Sequence, residues 1–174
     1  DAWDKGNVRF PDMVRLANDI KSLDLHPGIW VRPLTIEKGA MAEYRMANDK
    51  TDRLIDPSCP EVLEYVENIF RTLSGWGYEL IKHDFTTVDI FGLWGFEMGS
   101  DLTHGKWHFH DRSKTTAEII LDLYRTIRRG AGDNTIIIGC NTVTHLSAGI
   151  FDIQRTGDDT SGLEWERTRK MGVN

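Results

Sequence analysis

Apolar residues alternate along this chain between stripes at helical spacing and short continuous runs. The stripes begin at Pro11, at Pro60 and near Asp111 or Ser113, either of which we expect to cap the third helix. Four apolar runs predict strands, at 29–31, 78–85, 135–139 and 150–153. A last helix is expected over about 161–170. Helices and strands therefore alternate, which favours an α/β fold with a parallel sheet.

The run at 78–85 is the one around which the other elements are organised. Leu80 and Ile81 predict a short buried strand, and Lys82 and Asp84 follow as it ends. Parallel α/β proteins carry their chemistry at the carboxyl ends of strands. We therefore expect Asp84 at a reaction centre, and the aromatic segment 86–110 to form an ordered loop over a pocket.

Three more polar residues follow predicted strands. Cys140 ends the third strand, and Asp158 and Asp159 come after the fourth. Two carboxylates facing each other suit glycoside cleavage, and in retaining enzymes they lie about 5 to 5.5 Å apart. On spacing alone, an ordinary ion pair between Lys82 and Asp84, with Asp158 capping the last helix, explains the pattern equally well.

Length and composition narrow the class of protein. The 174 residues form one expected domain with a real core, residues 1–174. The net charge is -6 and the basic residues are scattered, which argues against a nucleic-acid partner. The sequence contains no run of about 18 apolar residues, so it predicts no membrane span. The spacing of the cysteines and histidines is not typical of a disulfide framework or a zinc site, and the compartment stays open.

The number of strands indicates an incomplete barrel. About four strands are predicted, whereas a complete (β/α)8 TIM barrel typically has about 250 residues. The last residues, Gly172-Val173-Asn174, look like a helix end followed by the first step of another strand. We therefore expect a central segment of a larger barrel.

Five segments taken together resemble clan D glycoside hydrolases, the α-galactosidase group of families 36 and 27. They are Phe10-Pro11-Asp12-Met13, residues 23–30, residues 54–62, Lys82-His83-Asp84 and residues 155–160. The resemblance implies a (β/α)8 barrel catalytic domain, of which this chain carries about strands 3 to 6. It also implies retaining hydrolysis of an α-linked sugar through a covalent glycosyl-enzyme intermediate, without a cofactor.

The same resemblance assigns roles to individual residues. Asp84 corresponds to the nucleophile, and Asp158 is preferred as the acid/base, with Asp159 as the alternative. The expected substrate-binding residues are Lys82, Asp1, Trp3, Trp30, Arg53, Cys140, Arg155 and Asp159.

The chain departs from the family pattern at two places. Asn141 follows the cysteine where a glycine-rich run is usual, and His83 stands where an aromatic residue is common. Because both positions touch the pocket, galactose specificity stays open.

Three of the expected substrate contacts also have a purely structural explanation. Trp30 could be a core residue, Cys140 a small buried hydrophobe, and Arg53 a surface partner of Asp56 or Glu61.

Two other functions are compatible with the sequence. A metal-dependent barrel hydrolase would use the histidines near residues 101–111, namely His104, His108 and His110 flanked by Asp101 and Asp111. A non-catalytic partial barrel would bind sugar weakly. Its exposed sheet edges would favour a homo-oligomer or association with the missing part of the barrel. In the glycosidase hypothesis and in the sugar-binding hypothesis, the expected partner is a carbohydrate of the α-galactoside type.

Overall fold

The fold is a four-stranded parallel sheet, described here from a computed structural model for residues 3–92, 107–155, 159 and 162–173. The strands are β1 (Gly28–Val31), β2 (Leu80–His83), β3 (Ile136–Gly139) and β4 (Ile153–Gln154), and they lie side by side in chain order. The register aligns Trp30, Lys82, Ile138 and Ile153 across the sheet. The predicted parallel α/β connectivity is confirmed, and the fourth strand begins later than expected.

Six α-helices are found in the described ranges. They are α1 (Met13–Lys21), α2 (Pro60–Gly75), α3 (Thr86–Phe91), α4 (Thr116–Ala131), α5 (Thr144–Ser147) and α6 (Trp165–Val173). The sequence predicted α1, α2, α4 and α6. It ended α6 near residue 170, whereas the helix continues to Val173, and it assigned to a loop the residues that form α3. Between β1 and α2, a short 3-10 helix (Ala42–Tyr44) and two antiparallel bridges order the segment expected to be a long loop. No helix within the described ranges is long and apolar enough to cross a membrane.

The start of α4 corrects the predicted cap. Thr115 is the cap: its hydroxyl accepts from the Glu118 amide, and the Glu118 carboxylate accepts from the Thr115 amide. Asp111 instead accepts hydrogen bonds from the amide and the hydroxyl of Ser113, at 2.8 and 2.6 Å. Asp111 and Ser113 therefore form a local turn before the helix, and neither of them caps it.

The core lies between one face of the sheet and the helices α2 and α4. The buried side chains of these helices are Val62, Val66, Ile69, Phe70, Leu73, Ile119, Ile120, Leu123, Tyr124 and Ile127. The two helices approach closely at Gly130, where a Cβ would lie 2.4 Å from the Glu67 carbonyl oxygen. Ile81 and Ile137 project from the sheet into this core and are fully buried.

The other face of the sheet is accessible. Trp30 is 41% exposed, Ile136 is 44% exposed and Ile153 is 47% exposed. These positions alternate with the buried ones along each strand, as side chains do in any strand. In a closed barrel this second face is the inside, packed by inward-pointing side chains from the other strands.

Candidate active site

Asp84 is held at the carboxyl edge of the sheet, where β2 ends. Its amide donates to the Val31 carbonyl at 3.0 Å, which keeps the backbone paired to β1 for one residue beyond the strand. The next residue, Phe85, has a φ of 68°, in the left-handed region that bulky residues rarely adopt. This turn directs the Phe85 amide onto Oδ1 of Asp84 at 2.8 Å. The carboxylate is consequently fixed and almost wholly buried.

Side chains from the neighbouring strands complete the shell around Asp84. The indole Nε1 of Trp30 donates to Oδ2 at 3.0 Å, and Nδ2 of Asn141 donates to Oδ1 at 2.7 Å. Lys82 Nζ lies 3.7 Å from Oδ2, which is an ionic contact longer than a hydrogen bond. The parallel sheet therefore brings side chains from three neighbouring strands and their ends to one carboxylate. The sequence placed Lys82 beside Asp84, and the hydrogen bond from Trp30 is an addition from the structure.

The charge state of Asp84 follows from these contacts. Burial acts to raise its pKa, but hydrogen bonds from Trp30, Asn141, Cys140 and the Phe85 amide outweigh burial, and the pKa lies below its ordinary value. The group is thus an anion at neutral pH. An ionised, well-oriented carboxylate is the form that attacks an electrophilic carbon.

A second line of contacts leads away from Asp84 along the sheet edge. Cys140 is fully buried, and its Sγ accepts a hydrogen bond from Nη1 of Arg155 at 3.4 Å. Burial raises the pKa of the Cys140 thiol, so that it stays protonated at neutral pH. Arg155 also pairs with Asp159 at 2.6 Å, and the Asp159 side chain is 89% exposed. A chain of pairwise contacts thus links Asp84 to Asp159 through Cys140 and Arg155.

The remaining predicted residues fall into two groups. Trp3 lies beside Trp30, with ring centroids 5.6 Å apart, and its indole donates to the Thr35 carbonyl. The backbone of Arg53 is bonded to Asp49 and to Ile36, so it is anchored in the segment between β1 and α2. Asp1 and Asp158 lie outside the described residues.

Arg32 and Asp89 support the site, although the sequence did not single them out. Arg32 Nε donates to both carboxylate oxygens of Asp89, at 3.0 and 3.1 Å, and its guanidinium lies 4.5 Å from the centre of the Phe85 ring. The Asp89 side chain is fully buried. This ion pair joins the exit of β1 to α3 and clamps the Phe85 turn that orients Asp84. The sequence feature that could have identified this pair is an arginine directly after a predicted strand.

His83, the other departure from the family pattern, projects to the opposite side of the sheet from Lys82. Its imidazole is fully buried among the rings of Phe70, Tyr124 and Phe151, with centroids 5.4 to 6.3 Å away. Burial lowers the pKa of His83 to about 3, so the ring is neutral. His83 therefore belongs to the core, and it does not line the pocket.

The histidines of the metal hypothesis are engaged with the backbone. His108 Nδ1 lies 2.9 Å from the Phe109 carbonyl, and His110 Nε2 lies 3.0 Å from the Arg45 carbonyl. His104 and Asp101 lie outside the described residues. Among the residues that are described, no group of three or more His, Cys, Asp or Glu side chains could hold a metal ion.

Solved structures of glycosidases share this fold. An α-galactosidase from Thermus thermophilus in complex with stachyose has a TM-score of 0.68 at 21% identity, over 97% of this chain and 37% of that chain. The same enzyme with p-nitrophenyl α-D-galactopyranoside gives 0.65 at 22%, over 97% and 35%. A GH27 β-L-arabinopyranosidase from Geobacillus stearothermophilus gives 0.59 at 17%, over 92% and 37%.

These likenesses establish the architecture. The neighbours are (β/α)8 enzymes, and this chain spans little more than a third of their length, so its four parallel strands are part of a barrel. The expected partial barrel is confirmed, as is the resemblance in fold to family 27. No protein-family model matches the sequence.

Proposed function

We propose that this chain is part of a retaining glycoside hydrolase that cleaves terminal α-linked sugars, most simply α-galactosides, with Asp84 as the nucleophile. The observation that supports this most directly is the Asp84 carboxylate, ionised and fixed by donors from three strand ends at the carboxyl edge of a partial barrel. Barrel enzymes carry their reacting groups at this edge. The fold shared with glycosidases supports the same class.

The proposed reaction has two steps. In the first, a carboxylate oxygen of Asp84 forms a bond to the anomeric carbon while the glycosidic C–O bond breaks, and the leaving oxygen takes a proton from the second carboxyl group. In the second, that group removes a proton from water as the water oxygen attacks the anomeric carbon. The bond between the anomeric carbon and Asp84 breaks as the bond to the water oxygen forms, and the carboxylate is regenerated. Each step inverts the anomeric carbon, so the configuration is retained overall.

The second carboxyl group is proposed to be Asp158, with Asp159 as the alternative. Asp159 is connected to the nucleophile through its ion pair with Arg155, which contacts Cys140. Its exposed side chain leaves room for a sugar beside it. Lys82 and Trp30 face the accessible side of the sheet, where they are proposed to contact sugar hydroxyls and a sugar ring.

The test uses the full-length protein and p-nitrophenyl α-D-galactopyranoside, with the p-nitrophenyl β-L-arabinopyranoside assayed alongside because one structural neighbour is a β-L-arabinopyranosidase. Asp84→Gly should lower kcat by about 10³-fold or more, and added azide should restore turnover as a glycosyl azide of inverted configuration. Asp159→Asn and Asp158→Asn are compared directly. The acid/base variant should retain glycosylation of an activated aryl substrate and lose deglycosylation, whereas the other should keep both steps.

A matched carboxylate controls for loss of charge. Asp52, exposed in the segment between β1 and α2, should tolerate change to glycine with activity unchanged within about twofold. Wild-type turnover by Asp84→Gly would remove Asp84 as nucleophile. Inverted products from the parent enzyme would exclude the retaining mechanism.

A further inference from the structure

Asn141 places its side-chain amide against Asp84 from the end of the neighbouring strand. It follows Cys140 after β3, and its φ of 50° lies in the left-handed region. Its carbonyl accepts from the Thr87 amide at 3.0 Å, which fixes the turn to the start of α3. From this position Nδ2 donates to Oδ1 of Asp84 at 2.7 Å. The backbone of this turn therefore fixes the position of the Asn141 side-chain amide. The backbone hydrogen bond that does so does not involve the side chain.

The two oxygens of Asp84 are held differently. Oδ1 accepts the Phe85 amide at 2.8 Å and Asn141 at 2.7 Å. Oδ2 accepts the Trp30 indole at 3.0 Å, and Lys82 Nζ lies 3.7 Å away. A carboxylate oxygen has about two lone-pair sites, so two short hydrogen bonds occupy Oδ1. The Cys140 thiol also hydrogen-bonds to Asp84, but a thiol is a weak donor. Oδ2 therefore keeps more capacity to form a bond and is directed towards Lys82 and Trp30.

The residue type at position 141 is informative. The left-handed conformation is free of cost for glycine and costs a non-glycine residue of order 1 kcal/mol, although asparagine tolerates it better than most. Glycine at position 141 would therefore adopt this backbone conformation more easily than asparagine. It would lack the side-chain amide that donates to Asp84. The presence of asparagine instead of glycine at this left-handed position is explained by a use for the Nδ2 donor.

We propose that Asn141 is a positioning residue that holds Oδ1 of Asp84 and leaves Oδ2 as the oxygen that attacks the anomeric carbon. The assignment of Oδ2 rests on the proposed glycosidase function. The hold on Oδ1 is a property of the folded protein and is testable without turnover.

Other ionisable groups around Asp84 set the background for such a test. Lys82 and His83 lie on its own strand, Asp89 is in α3 and pairs with Arg32, and Cys140 ends β3. Of these groups, Cys140 also contacts the Asn141 amide, with Sγ 3.8 Å from Nδ2. The titration of Asp84 is therefore compared between variants at position 141 in the Cys140→Ala background as well, where a difference reports the loss of the amide donor.

The experiment measures the pKa of Asp84 in the full-length protein by ¹³C NMR of labelled aspartate carboxyl groups, with Asp84→Asn identifying the signal. Asn141→Gly removes the amide and relieves the backbone, so it should fold and should raise the pKa of Asp84 by about one unit. Asn48→Gly is the matched control, because the Asn48 amide donates to the Ile90 carbonyl in α3 and not to Asp84. It should leave the Asp84 titration unchanged.

Hydrolysis of an activated aryl glycoside is measured next. Because its leaving group needs little help from an acid, the rate of the first step reports mainly the attack by Asp84. Asn141→Gly should lower kcat about tenfold and move the acidic limb of kcat/KM upward by the same one unit, with KM changed less than threefold. Asn141→Ser, which keeps a shorter donor, should recover part of the loss.

Two results would overturn the inference. One is an Asp84 titration in Asn141→Gly equal to that in Asn48→Gly, and the other is an unchanged acidic limb with lowered kcat. If Asn141→Gly is poorly folded, the near-isosteric Asn141→Asp replaces it, and the Asp84 pKa should then rise by more than one unit because two carboxylates face each other. Failure of the proposed function is distinguishable, because it would appear as no hydrolysis by the parent protein while the difference in titration persists.

Discussion

The two faces of the sheet are built from the same four strands and differ in what covers them. Ile137 is fully buried against α2 and α4, whereas its neighbour Ile136 is 44% exposed on the opposite face. The covered face carries residues that serve packing, including the neutral His83. The accessible face carries Lys82 and Trp30, which reach Asp84. Stability and chemistry are thus separated by the alternation of side chains along each strand.

The architecture of a barrel explains why the second face of this sheet carries exposed apolar side chains. A (β/α)8 barrel needs helices outside its sheet and packed side chains inside it. The helices of this chain supply the outer cover by themselves. The inner cover comes from strands on the other side of the barrel, and the chain spans little more than a third of the length of its structural neighbours.

Substitution of the two adjacent isoleucines gives the largest expected effect on stability. Ile137→Ala should cost about 3 kcal/mol of unfolding free energy, because it leaves a cavity between the sheet and its helices. In the full-length protein, Ile136→Ala should cost about as much, because the remaining strands cover that face. Chemical denaturation of both variants measures the difference.

Val8→Ala, at a fully exposed apolar position, controls for loss of hydrophobic volume and should cost less than about 0.5 kcal/mol. A loss below about 1 kcal/mol for Ile136→Ala in the full-length protein would mean that this face remains open, and would contradict the closed barrel.

The second largest effect on stability is expected at the ion pair of Arg32 and Asp89, which lies where the two faces of the sheet meet. Arg32→Met should cost about 2 to 3 kcal/mol, because it leaves the buried Asp89 carboxylate without its partner. Burial already raises the pKa of Asp89 even though Arg32 opposes the change, so the variant should bind a proton there more readily.

A double-mutant cycle with Asp89→Asn separates pairing from packing. The double variant should be more stable than the sum of the two single losses predicts, by about 1 to 2 kcal/mol. Strict additivity would show that the pair does not stabilise the Phe85 turn as a unit.

His83 gives the covered face a pH dependence of defined sign. Its pKa is about 3 in the folded protein and about 6.5 when unfolded, so the unfolded chain binds more protons between these values. Stability should therefore fall as the pH drops below about 6.5, by up to about 1.4 kcal/mol for each pH unit. Unfolding measured from pH 6.5 to 5 covers this range above the ordinary pKa values of carboxylates. Asp89, whose pKa is raised, is controlled by repeating the measurement in Asp89→Asn.

His83→Leu should flatten this slope, and His145→Leu, at an exposed histidine in α5, should preserve it. An unchanged slope in His83→Leu would assign the acid sensitivity to another group.

The smallest effect is expected at the cap of α4, which supports only the covered face. Thr115→Ala removes one side of the capping box and should cost about 1 kcal/mol. Ser113→Ala is the control and should cost less, because Ser113 belongs to the preceding turn. Thermal unfolding compares the two, and an equal or larger loss for Ser113→Ala would contradict the assignment of the cap.

The long, strongly periodic helices could be predicted from the sequence, and the short helices could not. The apolar stripes of α2 and α4 span four turns, whereas α3 has six residues and α5 has four, too few to show a period. The cap of α4 was misassigned because Asp, Ser and Thr all cap helices, and three such residues stand within 111–115. Their hydrogen bonds decide between a turn and a cap.

The site was predictable where its residues follow strands. The placement of Lys82 and Cys140 around Asp84 follows from parallel strands that end at one edge. The bonds from Trp30 and Asn141 depend on the strand register and on two left-handed turns, across separations of 54 and 57 residues. Asn141 looked like a departure from a family pattern, and its contact with Asp84 gives that departure a physical meaning.

The hydrogen bond from Trp30 to Asp84 also provides an optical and magnetic reporter inside the site. Protonation of the carboxylate, or its bonding to a sugar, weakens the acceptor at Oδ2 and changes the environment of the indole N–H. The indole proton resonance and the emission of Trp30 should therefore follow the chemical state of Asp84 without any added label.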